Sequence, residues 1–294
     1  MEEIDYGAIE IYPGVSIRNM QQKIKGILVY FMQLCEENNL RYWCTGGTML
    51  GAIRHKGFIP WDDDIDVFMP RSDYERLYAI WPSIGDKKRY SLCRTTKEKV
   101  YHQTDMQLVD LNTTFINKHS VNEDIEHGLS IDIMPFEGVP DSKIARGIQI
   151  YHAIMYSVFN VQRLPDHQGK LLRSLTAVLL SLAKSPEKRY RIWKHHETKF
   201  TQYDFDQSNS AKEMVTTLKA LFHPYPREMF TTIDVEFEDL IIKIPKGYDL
   251  FMRTIYGNYM ELPPEKDRVP KHEVAYANLE EPFSQYKGIY YCKS

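Results

Sequence analysis

Asp62, Asp63, Asp64 and Asp66 place four carboxylates within five consecutive positions. Like charges this close repel by roughly 1 kcal/mol per pair at ~4 Å even in water, and by more in a cleft, so the cluster calls for a cation. From Asp64 to Phe68 acidic and apolar residues alternate, which predicts a strand. On such a strand Asp64 and Asp66 share one face about 6.5–7 Å apart, from a rise of ~3.3 Å per residue. That separation suits two bridged divalent ions ~3.5–4 Å apart, and all-oxygen ligation selects Mg2+ or Mn2+ over zinc. A calcium-binding EF-hand loop does not fit: counted from Asp62, Val67 falls where a glycine is needed and Asp73 where a glutamate is. A solvated acidic loop is the other alternative, and the apolar partners Ile65 and Val67 speak against it.

Two further features bear on the same chemistry. Gly46-Gly47, followed by Thr48, lies upstream at a strand-to-helix turn, where bare backbone N–H groups and a helix N-terminus can hold phosphate. Asp132 alternates with Ile131 and Ile133 in a later strand, a poor choice for a merely structural position. By strand parity Asp62 joins Asp64 and Asp66 as a further ligand or a supporting group, and Asp63 points the other way.

The elements that must position these residues can be read from the hydrophobic period. Ser16 caps a helix carrying Ile17, Met20, Ile24, Ile27, Leu28, Phe31 and Leu34 at helical spacing, stopped near Asn38-Asn39. A strand over 41–44 leads into the glycines, a short helix over 49–54 follows them, and Ser72 with Glu75 forms a capping box for a helix to about Trp81. Residues 106–111 and 113–116 read as a hairpin and 129–134 as a strand. Beyond Pro140 the period becomes helical: Ile144, Ile148, Tyr151, Met155, Val158 and Phe159 form one stripe. Leu171, Leu172, Leu175, Leu179 and Leu182 form a second after a Pro165–Gly169 break. A strand signal over 238–244 precedes an irregular tail. The fold class is therefore α/β: a catalytic core over 1–140 with a mixed sheet, and a helical half over 141–294 folded against it as one integrated unit.

With 43% hydrophobic and 26% charged residues the composition is that of an ordinary globular protein. Cysteines 35, 44, 93 and 292 show no zinc or disulfide spacing, so a reducing compartment is expected. Residues Met1 to Asp5 have the wrong charge for a secretory signal, and no apolar run spans a bilayer, which points to a cytoplasmic location. The net charge of −3 is unevenly divided: residues 143–196 hold ten basic against two acidic side chains, net +8, and the remainder carries −11. That division predicts a basic surface facing an anionic acceptor or the inner membrane face, set against the plainer reading that both stripes pack in the core. No nucleic acid is expected among the partners.

The stretch TGGTMLGAIRHKGFIPWDDDID over residues 45–66 resembles the signature of the LicD family, which includes fukutin-related sugar-phosphate transferases. Tyr256-Gly257-Asn258-Tyr259-Met260, then Leu262-Pro263-Pro264, Arg268 and His272, resembles the family's C-terminal motif. The resemblance implies a nucleotidyltransferase-like fold and transfer of an alcohol phosphate, typically phosphocholine from CDP-choline, to a hydroxyl of a teichoic acid, lipopolysaccharide or lipid-linked precursor. It implies that Asp64 and Asp66 hold the metals, and that Asp132 ligates one and could take the acceptor proton. Arg54, His55 and Lys56 could neutralise the donor diphosphate as cytidine monophosphate leaves, and Arg268 and His272 could touch substrate. Trp61, Tyr256 and Tyr259 are candidates for an aromatic face toward a quaternary ammonium. Two alternatives stay open: a true nucleotidyltransferase that releases pyrophosphate, with the same metal site, and an inactive glycan-binding protein of the same fold. The donor headgroup and the acceptor sugar stay open as well.

Overall fold

In a computed structural model, which describes residues 9–164, 169–214 and 221–293, helix α1 (Ile17–Glu37) starts where the cap predicts. The Ser16 hydroxyl accepts the Asn19 N–H at 3.2 Å. Its apolar stripe is fully buried from Ile17 to Leu34 and forms the floor of the main core. A short hairpin, β1 (Glu10–Tyr12) and β2 (Val15–Ser16), precedes it. Residues 1–5, read above for the absence of a leader, and 165–168 of the break between the helical stripes lie outside the described residues.

The central sheet is organised by one long strand, β8 (Ser130–Val139). Along one edge it pairs in parallel with β4 (Asp66–Pro70), in a register that sets Asp66 directly beside Asp132. Its other edge is shared: the first half pairs with β6 (Met106–Asp110) and the second with β9 (Ser210–Glu213). Strand β3 (Trp43–Cys44) borders β4, β5 (Tyr90–Cys93) borders β6, and β10 (Tyr225–Pro226) borders β9. The sheet is therefore mixed, and it is completed by strands from beyond residue 200.

Several elements differ from the sequence reading. Both strands of the expected hairpin exist, but β7 (Thr114–Asn117) leaves β6 and pairs with β13 (Val274–Asn278) from the C-terminal region. At the bend, the Thr113 hydroxyl donates to the Asp110 carbonyl and accepts the Leu129 N–H at 2.8 Å, turning the chain away from β6. Helix α3 (Arg71–Ile84) begins straight after Pro70, so Ser72 lies inside its first turn and is no cap. The Ser72 hydroxyl instead accepts from Arg41. The single strand expected over 238–244 is the second arm of a hairpin, β11 (Thr232–Phe237) and β12 (Leu240–Pro245), with Glu238 in its turn at φ 55°. Helix α7 (Tyr248–Tyr256) follows.

The helical segment forms α4 (Lys143–Val161), α5 (Lys170–Ser181) and α6 (Pro186–Phe200). Ala153, Tyr156 and Phe159 of α4 pack against Trp193 and Phe200 of α6 in a second, smaller core. A buried ion pair ties this region to the sheet: the Arg71 guanidinium donates to the fully buried carboxylate of Glu137 on β8 and stacks over Phe200 at 5.7 Å. Between α4 and α6, His152 Nδ1 lies 2.7 Å from His196 Nδ1. Burial, then the charges of His152 and His195, hold His196 down at about 4.

Two outcomes are expected. Arg71→Met should cost about 3–5 kcal/mol in urea unfolding, because it strands the Glu137 carboxylate without its partner. A histidine depressed in the folded state stabilises only while neutral. Stability should thus be level above pH 6.5 and fall as pH drops toward 4, and His196→Gln should flatten that slope in a pH series of thermal melts.

Candidate active site

Three chain segments meet at the parallel junction of β4 and β8. The first is the turn from β3 into α2 (Gly46–His55), which starts at the glycines themselves, three residues earlier than the hydrophobic pattern suggests. Gly46 sits at φ +55°, and a Cβ there would lie 2.4 Å from Asp66 Oδ2; a Cβ on Gly47 would lie 2.2 Å from Asp62 Oδ2. The space over both glycines is thus taken by carboxylates drawn to the positive end of α2. Thr48 serves the same junction, since its hydroxyl accepts the Asp66 N–H at 3.0 Å and the Thr45 N–H donates to the Asp66 carbonyl.

The second segment is the acidic stretch, which is extended but joins the sheet only from Asp66. Gln21, buried on α1, fixes it by donating to the carbonyls of Ile59 and Asp62 at 3.3 and 2.9 Å. Because residues 62–65 are not a regular strand, parity does not apply to them, and Asp63 does not point away. It lines the same cavity as Asp64 and Asp132. Its Oδ2 accepts the backbone N–H of His272 at 3.0 Å and lies 3.1 Å from His272 Nδ1. Asp63, Asp64 and His272 each bring one ligand atom to within 4.8 Å of the others. Burial opposes charge on both partners of the Asp63–His272 pair, yet their mutual attraction wins. It holds Asp63 below the ordinary carboxylate range and raises His272 to about 9. At neutral pH His272 is thus a cationic partner of Asp63 Oδ2, which leaves Asp64 and the other oxygen of Asp63, Oδ1, open to a cation.

The third segment is the β6–β8 ladder. Gln107, register partner of Asp132, donates to Asp132 Oδ1 at 2.8 Å. Asp105 lies beside them, and its charge and that of Asp132 repel. Neither Asp105 nor Gln107 was singled out in the sequence, although both alternate with the apolar residues Met106 and Leu108. That alternation is a signal that could have revealed them.

Burial and mutual repulsion act on the whole cluster. Burial first, then Asp64, pushes Asp62 up to about 8. Asp132 rises to about 6 through burial, with Asp64 adding and the Gln107 hydrogen bond opposing. Asp66 is raised well above its usual range by burial and then by Asp64, Asp132, Asp62 and Asp105. Asp63 Oδ1 is buried without a hydrogen-bond partner. Crowded carboxylates, an orphaned acceptor and an all-oxygen donor set fit a hard divalent cation. The cavity beside them, of about 260 Å³, runs on past Gln103, Asn117 and Glu123. Arg163, from the basic segment, reaches its wall and pairs with Glu123.

The remaining candidates fall elsewhere. Arg54 donates to the carbonyls of Tyr259 and Glu261 at 2.7 and 3.1 Å; burial lowers its pKa and the charge of Asp62 acts against that. His55 is held at about 4 by burial and then by Arg54, so at neutral pH it carries no charge to offset a phosphate. Lys56 is exposed at the C-cap of α2, roughly 15 Å along the axis from the glycines at 1.5 Å per residue, and its carbonyl accepts the Glu238 N–H. Trp61 is buried, with the Arg268 guanidinium 5.7 Å from its ring centre and His55 edge-on at 6.2 Å. Arg268 also donates to the Pro263 carbonyl at 2.9 Å. Tyr259 is buried and donates its hydroxyl to Asp249 at 2.7 Å. Tyr256 is 43% exposed as a whole, and burial of its hydroxyl end together with Asp66, Asp62 and Asp64 pushes that hydroxyl upward. Of the three aromatic candidates it alone combines exposure with proximity to the carboxylates.

The glycines give a direct check. Gly47→Ala should lower metal-free stability by about 1–3 kcal/mol through overpacking against Asp62. Gly46→Ala should cost more, because it adds a left-handed φ to a similar clash, and thermal melts of the two variants against the native protein measure the difference.

Known proteins resemble the chain over the segment that builds this junction. Residues 39–168, which contain α2, the acidic stretch and β8 through Asp132, match the family described as LicD/FKTN/FKRP, nucleotidyltransferase domain. The lipopolysaccharide cholinephosphotransferase LicD of Haemophilus influenzae is 28% identical over 270 residues, covering 88% of this chain and 96% of that protein. An uncharacterized protein of Rickettsia prowazekii is 29% identical over 106 residues, 33% of this chain and 40% of its own. The human ribitol 5-phosphate transferase FKRP is 47% identical over 38 residues, 13% of this chain and 8% of that protein. The glycine turn and the paired aspartates thus lie within a segment that matches the LicD/FKTN/FKRP nucleotidyltransferase domain, in a chain similar over most of its length to a lipopolysaccharide cholinephosphotransferase.

Proposed function

We propose that this chain is a metal-dependent transferase that moves phosphocholine, or a related alcohol phosphate, from a cytidine diphosphate-linked donor to a sugar hydroxyl of a cell-surface glycan such as lipopolysaccharide or teichoic acid. The observation that carries the reading is the set of carboxylates gathered from two strands at the N-terminal end of α2, next to a polar cavity. The near full-length likeness to a lipopolysaccharide cholinephosphotransferase supports the choice of group and acceptor.

Asp64, Asp66 and Asp132 would hold Mg2+ or Mn2+, with Asp62 as a further ligand or a support. Two divalent ions at such a site supply charge neutralisation for the diphosphate and for the oxygens gaining charge in the displacement. The chain's own groups do the rest. Asp132, held by the Gln107 hydrogen bond, would take the proton of the acceptor hydroxyl. Asp63 and His272 tie the C-terminal region to the acidic stretch and set one cationic group beside the carboxylates. Tyr256, partly exposed near the same carboxylates, would offer its ring to a quaternary ammonium. Arg268 lies over Trp61, and Arg54 stands within electrostatic reach of Asp62 and Arg268.

The test uses purified protein, Mg2+ and a panel of cytidine diphosphate alcohols, with release of cytidine monophosphate as the readout. Asp64→Asn should lower turnover by orders of magnitude and abolish the Mg2+-induced rise in melting temperature, while leaving metal-free stability equal or higher, since one repelling charge is gone. Turnover of Asp64→Asn near the wild-type rate would remove Asp64 from the metal site. Pyrophosphate released from a nucleoside triphosphate, with no reaction of any cytidine diphosphate alcohol, would replace this reading with nucleotidyl transfer.

A further inference from the structure

Helix α5 is turned inside out. At 100° per residue Leu171, Leu175, Val178 and Leu182, spaced by four, three and four, fall on one stripe. On this helix that stripe faces solvent: the four side chains are between 53% and 76% exposed, and those buried within α5 are Thr176 and Leu180 from the other side. The neighbouring helix repeats the pattern, with Ile144 and Ile148 exposed and Ala153, Tyr156 and Phe159 buried. The reading that both stripes pack in the core is thus overturned for their outer members. Patches of this kind on a globular protein mark an interaction surface.

Charge selects the partner. No acidic residue occurs from Gly169 to Pro186, whereas Lys170 and Arg173 stand in the first turn of α5 and Lys184 just past its end. Lys188 and Arg189 of α6 close the C-terminal end of α5 by donating to the carbonyls of Leu182 and Ala183 at 2.6 and 2.8 Å, and Arg191 is exposed one turn on. A second copy of the chain seated face to face would bring these cations together with no acid in α5 to answer them, Glu187 of α6 being already shared by Arg191 and Lys97. Among the described residues no helix is long and apolar enough to cross a membrane, and twelve residues span only about 18 Å at 1.5 Å per residue. An exposed leucine face bordered by Lys and Arg, on a helix too short to cross, suits the interface of an anionic bilayer.

We infer that α5, with its exposed leucine face and flanking basic residues, docks this protein in the plane of an anionic lipid surface. This inference rests on the surface alone and goes beyond the transferase reading. It is tested without any substrate by co-sedimentation of the full chain with phosphatidylcholine vesicles, with and without phosphatidylglycerol, at low and high salt. The wild type should bind the anionic vesicles at least about tenfold more tightly than the neutral ones, and lose that preference in high salt. Lys170→Gln with Lys184→Gln and Arg191→Gln should weaken anionic binding about tenfold or more. Leu171→Ser with Leu175→Ser and Leu182→Ser should abolish it with at most a small loss of melting temperature, since these side chains are more than half exposed. Equal binding to both vesicle types would overturn the inference, as would wild-type binding by the leucine variant. Dimers that the leucine substitutions disperse in sedimentation velocity, without vesicle binding, would assign the face to a second copy instead.

Discussion

Buried carboxylates repel one another, and much of this structure can be understood as the means of holding them together. Asp66 and Asp132 are register partners on adjacent parallel strands, and Asp62, Asp64 and Asp105 add their charges within the same small volume. Each would be less costly in water. The fold counters that cost with the positive end of α2, with two glycines that leave room for the side chains of Asp62 and Asp66, and with His272 as a counter-charge to Asp63. What is left uncompensated, burial first and then the repulsion from Asp64, shows in the upward shift of Asp62 and Asp132.

The surrounding elements follow from this requirement. Strand β8 is long because it has three tasks: it carries Asp132, receives β4 along one edge, and divides the other between β6 and β9. Helix α1 supplies apolar floor along its length and a single buried amide, Gln21, where the acidic stretch needs its backbone tied. The C-terminal region returns across the molecule so that β13 pairs with β7, which places His272 against Asp63. Distant stretches of chain are thus committed to one junction, and its precision rests on backbone pairing as much as on side chains.

The helical segment answers to a different constraint. Its inner face is anchored by the Arg71–Glu137 pair and the aromatic contacts of Phe200, while its outer face leaves leucine and isoleucine uncovered amid lysine and arginine. One residue of the same segment, Arg163, reaches the cavity wall, so the basic stretch contributes both to the site and to the surface.

How much of this was legible in the sequence depends on the range of the interactions involved. Local chemistry was plain: the Ser16 cap, the apolar stripe of α1, the glycine pair, and the acidic cluster with Asp132 all follow from near-neighbour residue types and spacing. Pairing was not. Strands 106–110 and 114–117 look like a hairpin by proximity, yet the Thr113 hydrogen bonds turn the second away to a partner more than 150 residues distant, which no local signal encodes. Strand parity does not predict the orientation of Asp63, because residues 62–65 are extended without being in the sheet. His55 resembles a cation in sequence and is neutral in the fold, because burial and Arg54 act on it only once the chain has closed. The amphipathic period of α5 was equally visible, but period alone says only that the helix has an apolar side. Whether that side meets the core or the solvent is decided by what packs around it, and here the tertiary structure turns it outward.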